Sequence, residues 1–125
     1  MCVFCEIVSY KNHFAENSHA VAFPDAFPLS PGHTLIVPRR HVTGYFALTE
    51  EEQASLWTLV PHIKNLIEST HAPAGYNLGI NSGIAAGQTI EHIHLHVIPR
   101  YPGDVPDARG GVRWVIPERA AYWEQ

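Results

Sequence analysis

The chain has 125 residues, 46% hydrophobic and 16% charged, which suits one domain over residues 1–125 with its own core and excludes a mainly disordered polymer. Twelve acidic against eight basic residues give a formal charge of −4, which argues against general nucleic-acid binding because a phosphate backbone needs a cationic surface. No apolar run approaches the ~20 residues that cross a bilayer, and Met1–Tyr10 lacks the order of a secretory leader, so a cytoplasmic protein without a membrane partner is expected.

In chain order, Cys2-Val-Phe-Cys5 comes first, and its spacing reads as a metal clip or as two free thiols. Val21–Phe23 reads as a short strand stopped by Pro24, and Asp25–Gly32, with two further prolines, as a rigid irregular loop. His33–Pro38 reads as a buried strand. Thr49 with Glu52 forms a capping box, and Leu56, Leu59, Val60, Ile63 and Ile67 recur at helical spacing, so one long helix is expected up to Ala72–Gly75, bent at Pro61. Tyr76–Asn81 is a further strand, Ser82–Gln88 a loop of small residues that lets backbone approach a ligand, and His92–Pro99 another strand. Beyond Pro99 the chain is rich in Gly, Pro and Arg and ends on Trp114, Tyr122 and Trp123. Arg100, Arg109, Arg113 and Arg119 could face a small anion. The pattern is α+β: a mainly antiparallel sheet with a helix on one face and open edges that could pair two copies.

The chain holds nine histidines, and His92-Ile93-His94-Leu95-His96-Val97 concentrates three of them. In a strand, alternate side chains share a face and rise ~6.6 Å per pair, so three imidazoles line one side while Ile93, Leu95 and Val97 enter the core. Three readings compete. The histidines could sit on a solvated face. They could hold a catalytic metal, although the segment offers only Glu91 as an acidic support, on the wrong parity. Or an imidazole could attack a phosphoryl group while its neighbours supply protons and hydrogen bonds. The third is preferred, because Gly83–Gly87, Asn81, Gln88 and the downstream arginines would suit an anionic phosphate ester.

His92-Ile-His94-Leu-His96-Val-Ile98 resembles the signature of the histidine triad (HIT) family of nucleotide hydrolases and transferases. The resemblance extends over Cys2–Cys5, Asp25, Pro31-Gly-His33-Thr-Leu-Ile-Val-Pro38, Asn77-Leu-Gly-Ile-Asn81, Ala86-Gly-Gln-Thr-Ile90 and Pro99-Arg100. It implies a five-stranded antiparallel sheet, one long helix, a short N-terminal helix and a homodimer. It further implies that His94 is the nucleophile, with His96, His33 and His92 orienting and protonating around the phosphate. Asp25 would bind the ribose hydroxyls, Phe4, Ile7 and Phe23 would line the base pocket, and Asn81, Gln88 and Thr89 would hold phosphate or leaving group. The tail from about residue 101 to 125 would shape substrate choice. Relatives with proline between the first two histidines transfer to hexose phosphates; Ile93 stands there instead, which speaks against transfer.

The implied activity is hydrolysis at the α-phosphate of a dinucleoside polyphosphate or an adenosine phosphoramidate through a nucleotidyl-His94 intermediate. The product is a nucleoside monophosphate, with adenine the expected base. A bell-shaped pH profile around ~6.5 is expected from the histidines, and no metal is needed for the chemistry. The alternative is a zinc-stabilised nucleotide-binding adaptor with little turnover. By the same resemblance, Cys2, Cys5, His41 and His92 would form a structural zinc site.

Overall fold

The computed structural model describes residues 2–124. In chain order it consists of helix α1 (Val3–Ser9), strands β1 (Ala15–Glu16), β2 (Ala20–Pro24) and β3 (Thr34–Pro38), helix α2 (Glu50–Glu68), strands β4 (Gly75–Ile80) and β5 (Leu95–Arg100), and the single-turn helix α3 (Pro117–Ala120). The strands form one antiparallel sheet in the order β1-β2-β3-β5-β4. The fold is α+β, as the sequence pattern implies.

α2 starts where the capping box places it. Thr49 accepts from the Glu52 N–H and the Glu52 carboxylate accepts from the Thr49 N–H, which satisfies two orphan donors of the first turn. Its apolar stripe, Leu56, Leu59, Ile63 and Ile67, packs with Ala20, Ala22, Ile36, Leu95 and Val97 from one face of the sheet. The helix ends at Glu68, before the expected Ala72–Gly75 stop, because Ser69, Thr70 and His71 fold back onto the carbonyls of its last turn. Pro61 lies within it on the exposed side, where its missing N–H costs the helix one ladder hydrogen bond.

The opposite face of the sheet carries a second cluster, in which Phe4 of α1 packs on Val21, Phe23, Leu35 and Val37. α1 is thus docked beside β2 and β3. Between β2 and β3, the Asp25–Gly32 loop is tied to the end of β5: the Ser30 hydroxyl donates to the Pro99 carbonyl at 2.6 Å, and the Tyr101 hydroxyl to the Pro31 carbonyl at 2.6 Å. Gly32 has φ +92°, and a Cβ there would stand 3.2 Å from Ile67 and 3.3 Å from Pro99. That close approach brings His33 to the edge of β3 facing β5.

Ile93, Leu95 and Val97 are fully buried, so the alternation expected for His92–Val97 holds. The ladder itself begins only at Leu95. His92–His94 does not pair with β4, His92 lying in a bend, and the Ile93 N–H donates instead to the Val42 carbonyl at 2.8 Å. This early departure from the sheet turns His92 towards the N-terminus of α1.

Candidate active site

The segment and loops described above converge on a cavity of about 430 Å³ between α1, the Asp25–Leu29 loop and the ends of β4 and β5. Phe4, Ile7 and Phe23 form its apolar end, and Asp25, His33, Asn81, Thr89, His94 and His96 its polar end. Phe4 stands edge-on to His94 with centroids 5.2 Å apart and meets Phe23 at 5.3 Å.

Backbone contacts fix the tautomers of these rings. His94 Nδ1 lies 3.0 Å from the His92 carbonyl oxygen, an atom that can only accept, so Nδ1 carries a proton and in the neutral ring the lone pair is on Nε2. Nε2 has no partner among the described residues, and the ring lines the cavity. The Leu29 N–H donates to His33 Nδ1 at 3.0 Å. His33 therefore holds its proton on Nε2, which donates to His96 Nδ1 at 3.0 Å, with an Asp25 carboxylate oxygen 3.4 Å away. His96 in turn must hold its proton on Nε2. One backbone amide thus sets two rings in series and makes the last of them a donor.

Burial pushes the His33 imidazolium below its usual range, with the Asp25 carboxylate opposing. Burial, then the neighbouring His94 and His33, pull His96 down to about 4. At neutral pH the free site holds a neutral His33–His96 pair, which departs from the ~6.5 expected of an unperturbed histidine.

Asp25, His33 and His96 each place a ligand-type atom within 4.8 Å of the others. The tautomer argues against a cation there: Leu29 occupies His33 Nδ1, so Nε2 is the protonated nitrogen and offers no lone pair.

His92 does not join the cavity. Its ring is fully buried, with Nε2 donating to the Pro38 carbonyl at 2.8 Å, so its Nδ1 lone pair points at the sulfurs of Cys2 and Cys5, 3.4 and 3.5 Å away. Any relay to the triad through its ring is thereby excluded. His41 Nδ1 lies 3.1 Å from Cys5 Sγ and 3.5 Å from Cys2 Sγ, and the thiols are 3.2 Å apart. Two thiols and two imidazoles with all donor atoms within 4.8 Å of one another could bind a metal ion. The donor set fits: the second nitrogen of His92 is anchored on a carbonyl, the usual orientation for a ligating imidazole.

Residues 6–103 match the HIT domain family model. The chain belongs to the HIT family. An uncharacterised HIT-like protein of Mycoplasma genitalium is 40% identical over 105 residues, covering 80% of this chain and 73% of that one. A fission-yeast bis(5'-nucleosyl)-tetraphosphatase (asymmetrical) is 37% identical over 91 residues, covering 73% of this chain and half of the yeast protein. The solved structure of a Zn-bound histidine triad family protein from Mycobacterium smegmatis superposes with a TM-score of 0.75 at 32% identity, covering 98% of this chain and 96% of that one.

Two sequence expectations for this HIT protein's site are corrected. The small-residue loop does not line the cavity: the Gln88 amide donates to the Thr43 and Ile90 carbonyls while its oxygen accepts from the Gly83 N–H, which closes Gly83–Gln88 on itself. Gln88 is therefore a staple of that loop, and Asn81 and Thr89 are the neighbours that reach the cavity. The arginines do not face it either. Arg100 grips Asp104 through two nitrogens and also bonds Asn77. Arg109 pairs with Asp107 and covers Trp123, and Arg113 donates to the Ala120 and Arg119 carbonyls. Arg119 does not line it either. Leu29 escaped the sequence reading because its contribution is a main-chain amide, which residue type does not encode.

Proposed function

We propose that this HIT protein hydrolyses nucleotide derivatives at the α-phosphate through a nucleotidyl-His94 intermediate. The observation that carries this reading is the His94 ring, whose Nδ1 proton is spent on the His92 carbonyl and whose Nε2 lone pair faces the cavity. An imidazole presented this way offers Nε2 as a nucleophile whenever the ring is neutral. The base would lie among Phe4, Ile7 and Phe23 and the ribose near Asp25, which sets the α-phosphate beside His94 and His96. Adenine is the base adopted here, following the family resemblance.

His96 Nε2–H would donate to a phosphate oxygen, and the anion would raise the proton affinity of the buried His33–His96 pair. The pair then takes up a proton with the substrate and delivers it to the leaving group as His94 bonds to phosphorus. In the second displacement a water gives its hydroxyl to phosphorus, frees His94 and returns the proton, so that one water is consumed. The activity of the fission-yeast relative, named for a dinucleoside tetraphosphate, is compatible with this chemistry.

Cys2, Cys5, His41 and His92 would hold a zinc ion, a reading supported by the Zn-bound state of the mycobacterial relative. Such a four-ligand site leaves no open position, so the ion would supply structural cross-linking of α1 to the His92 segment. We also adopt the homodimer, for which the outer edge of β4 offers an unpaired ladder among the described residues; a sedimentation mass of a single chain would exclude it.

The test is direct. His94→Ala should lose at least about 10³-fold in kcat, and wild-type protein quenched during turnover should carry one nucleotidyl group on His94 by mass spectrometry. Retention of turnover by His94→Ala would overturn the assignment. Absence of product from every nucleotide tried would leave a binding protein.

A further inference from the structure

Cys2 and Cys5 stand at the start of α1, as its N-cap and the third residue of its first turn. Residues so spaced lie on one face with Cα atoms about 5 Å apart, inside the roughly 4.4–6.8 Å that a disulfide spans. The two sulfurs are 3.2 Å apart, and the Cys5 N–H donates to Cys2 Sγ at 3.2 Å. Both thiols are free and half-buried, so a bond between them needs rotation of two side chains and no movement of the sheet.

The two imidazoles beside them are held unequally. His92 is fully buried, with Nε2 anchored on the Pro38 carbonyl at 2.8 Å. His41 is exposed, and among the described residues its ring nitrogens have no hydrogen-bond partner but the two sulfurs. The outer side of the cluster is thus open to a small solute, and His41 is the ligand that nothing else holds. The reach of the two possible links differs too. Shared coordination would tie Cys5 to His41 and His92, 36 and 87 residues away, whereas a Cys2–Cys5 disulfide closes a ring within one turn and fastens α1 to nothing else. That ring contains Phe4, which lines the cavity and stands edge-on to His92 at 5.9 Å and to His94 at 5.2 Å.

Resting on the metal-site reading above, we propose that Cys2 and Cys5 are a reversible modification site: a low-molecular-weight disulfide oxidises the pair, which gives up its metal and unfastens α1 from the His92 segment. One cysteine thiolate attacks a sulfur of the small disulfide, forming a mixed disulfide and expelling one small thiolate. The second cysteine thiolate attacks the protein sulfur of that mixed disulfide; the Cys2–Cys5 bond forms and the second small thiolate leaves. The cysteine pair loses two electrons and the small disulfide gains them. Disulfide sulfurs carry no thiolate charge, so only the two imidazoles remain as ligands and the ion is released. A small thiol reverses each step and, with metal, restores the clip on the His92 main chain, whose carbonyl fixes the His94 ring.

The experiment treats the zinc-loaded full chain with oxidised glutathione and follows three readouts besides turnover. Mass spectrometry of the tryptic peptide ending at Lys11, which holds both cysteines of the chain, should show the loss of two hydrogens. A chromophoric chelator too weak to strip the reduced protein should register one zinc for each disulfide formed. Melting should fall to that of the reduced, chelated protein, and dithiothreitol with zinc should reverse all three changes. His41→Ala, which removes the loosely held ligand, should close the pair several-fold faster, while its reduced zinc-free form melts as the zinc-free wild type does. A pair that stays reduced in the zinc-loaded chain, a peptide that stops at the glutathione adduct, or a disulfide formed with zinc still bound would overturn the switch and leave the metal site standing. A folded chain that binds no zinc at all removes the metal-site reading and this proposal with it.

Discussion

His92 and His94 are joined by one atom: the carbonyl oxygen of His92 accepts the His94 Nδ1 proton at 3.0 Å, while the ring of His92 faces Cys2 and Cys5. The Cys/His cluster and the candidate nucleophile are therefore attached to the same residue. Displacing the His92 main chain misplaces the His94 ring and frees its tautomer.

The first prediction follows from that attachment. Purified protein should contain about one zinc per chain, a count set by the four ligands of a tetrahedral site. Removing it with a chelator, or by Cys5→Ser, should lower stability by about 3 kcal/mol if metal stood a hundredfold above Kd, which for a chain of this size shifts Tm by roughly 10 °C. Turnover should fall with it, and zinc should restore both to the chelated wild type but not to Cys5→Ser. Atomic emission and calorimetry on the same samples check it. A zinc-free chain with unchanged melting would disprove the site.

The relay from the Leu29 amide through His33 to His96 gives a second prediction, and its sign can be fixed. His96 has its folded pKa lowered to about 4, chiefly by burial, against about 6.5 for an unfolded histidine. Between those values the unfolded chain binds the proton and the folded chain does not. Stability is thus present above about 6.5 and lost as pH falls towards about 4, by about 1–3 kcal/mol from this group. His33 is lowered in the same direction. NMR titration should find the His96 ring still neutral at pH 5, and His33→Asn, which leaves the Leu29 N–H and His96 Nδ1 without their partner, should raise the His96 pKa and cut kcat by about 10- to 100-fold.

Much of this geometry was written in residue types. The Thr49/Glu52 box and the 56/59/63/67 stripe encode α2, and the His92–Val97 alternation encodes a core face and a chemical face, since both patterns are local and repeat the period of the element they form. What sequence could not show depends on partners far along the chain. The ladder starts at Leu95 because Ile93 bonds Val42, Gln88 staples its own loop, and Arg100, Arg109 and Arg113 are consumed by Asp104, Asp107 and tail carbonyls. A residue type says which bonds it can make. Which partner takes them is settled by tertiary proximity.

Glu52 supplies a third prediction. Its carboxylate is nearly buried, accepts from the Thr49 N–H and is gripped by Arg40 at 2.7 and 3.0 Å. The Arg40 hydrogen bond leads the causes that hold its pKa down to about 2. Because this folded pKa is depressed, the stability it contributes is complete above the ordinary carboxylate range and drains away as pH falls towards 2. Glu52→Gln should cost about 1–3 kcal/mol at pH 7 and flatten that acid limb, as read by urea unfolding at several pH values. Activity per folded molecule should be untouched, since Glu52 lies outside the cavity lining.

Phe4 links the N-terminal helix to the chemistry and gives the last prediction. The ring is 4% exposed, packs on Phe23, and stands edge-on to both His92 at 5.9 Å and His94 at 5.2 Å. Phe4→Ala opens a void at the apolar end of the cavity and should cost about 3–5 kcal/mol, enough to endanger the fold. Phe4→Leu is the informative change. It keeps the site dry and should cost about 1 kcal/mol, while removing the aromatic face available to a stacked base. If the base lies there, KM for a nucleotide substrate should rise several-fold with kcat little changed, because the ring touches the nucleoside and not the reacting phosphorus. An unchanged KM would move the base away from α1 and return Phe4 to the role of a core residue.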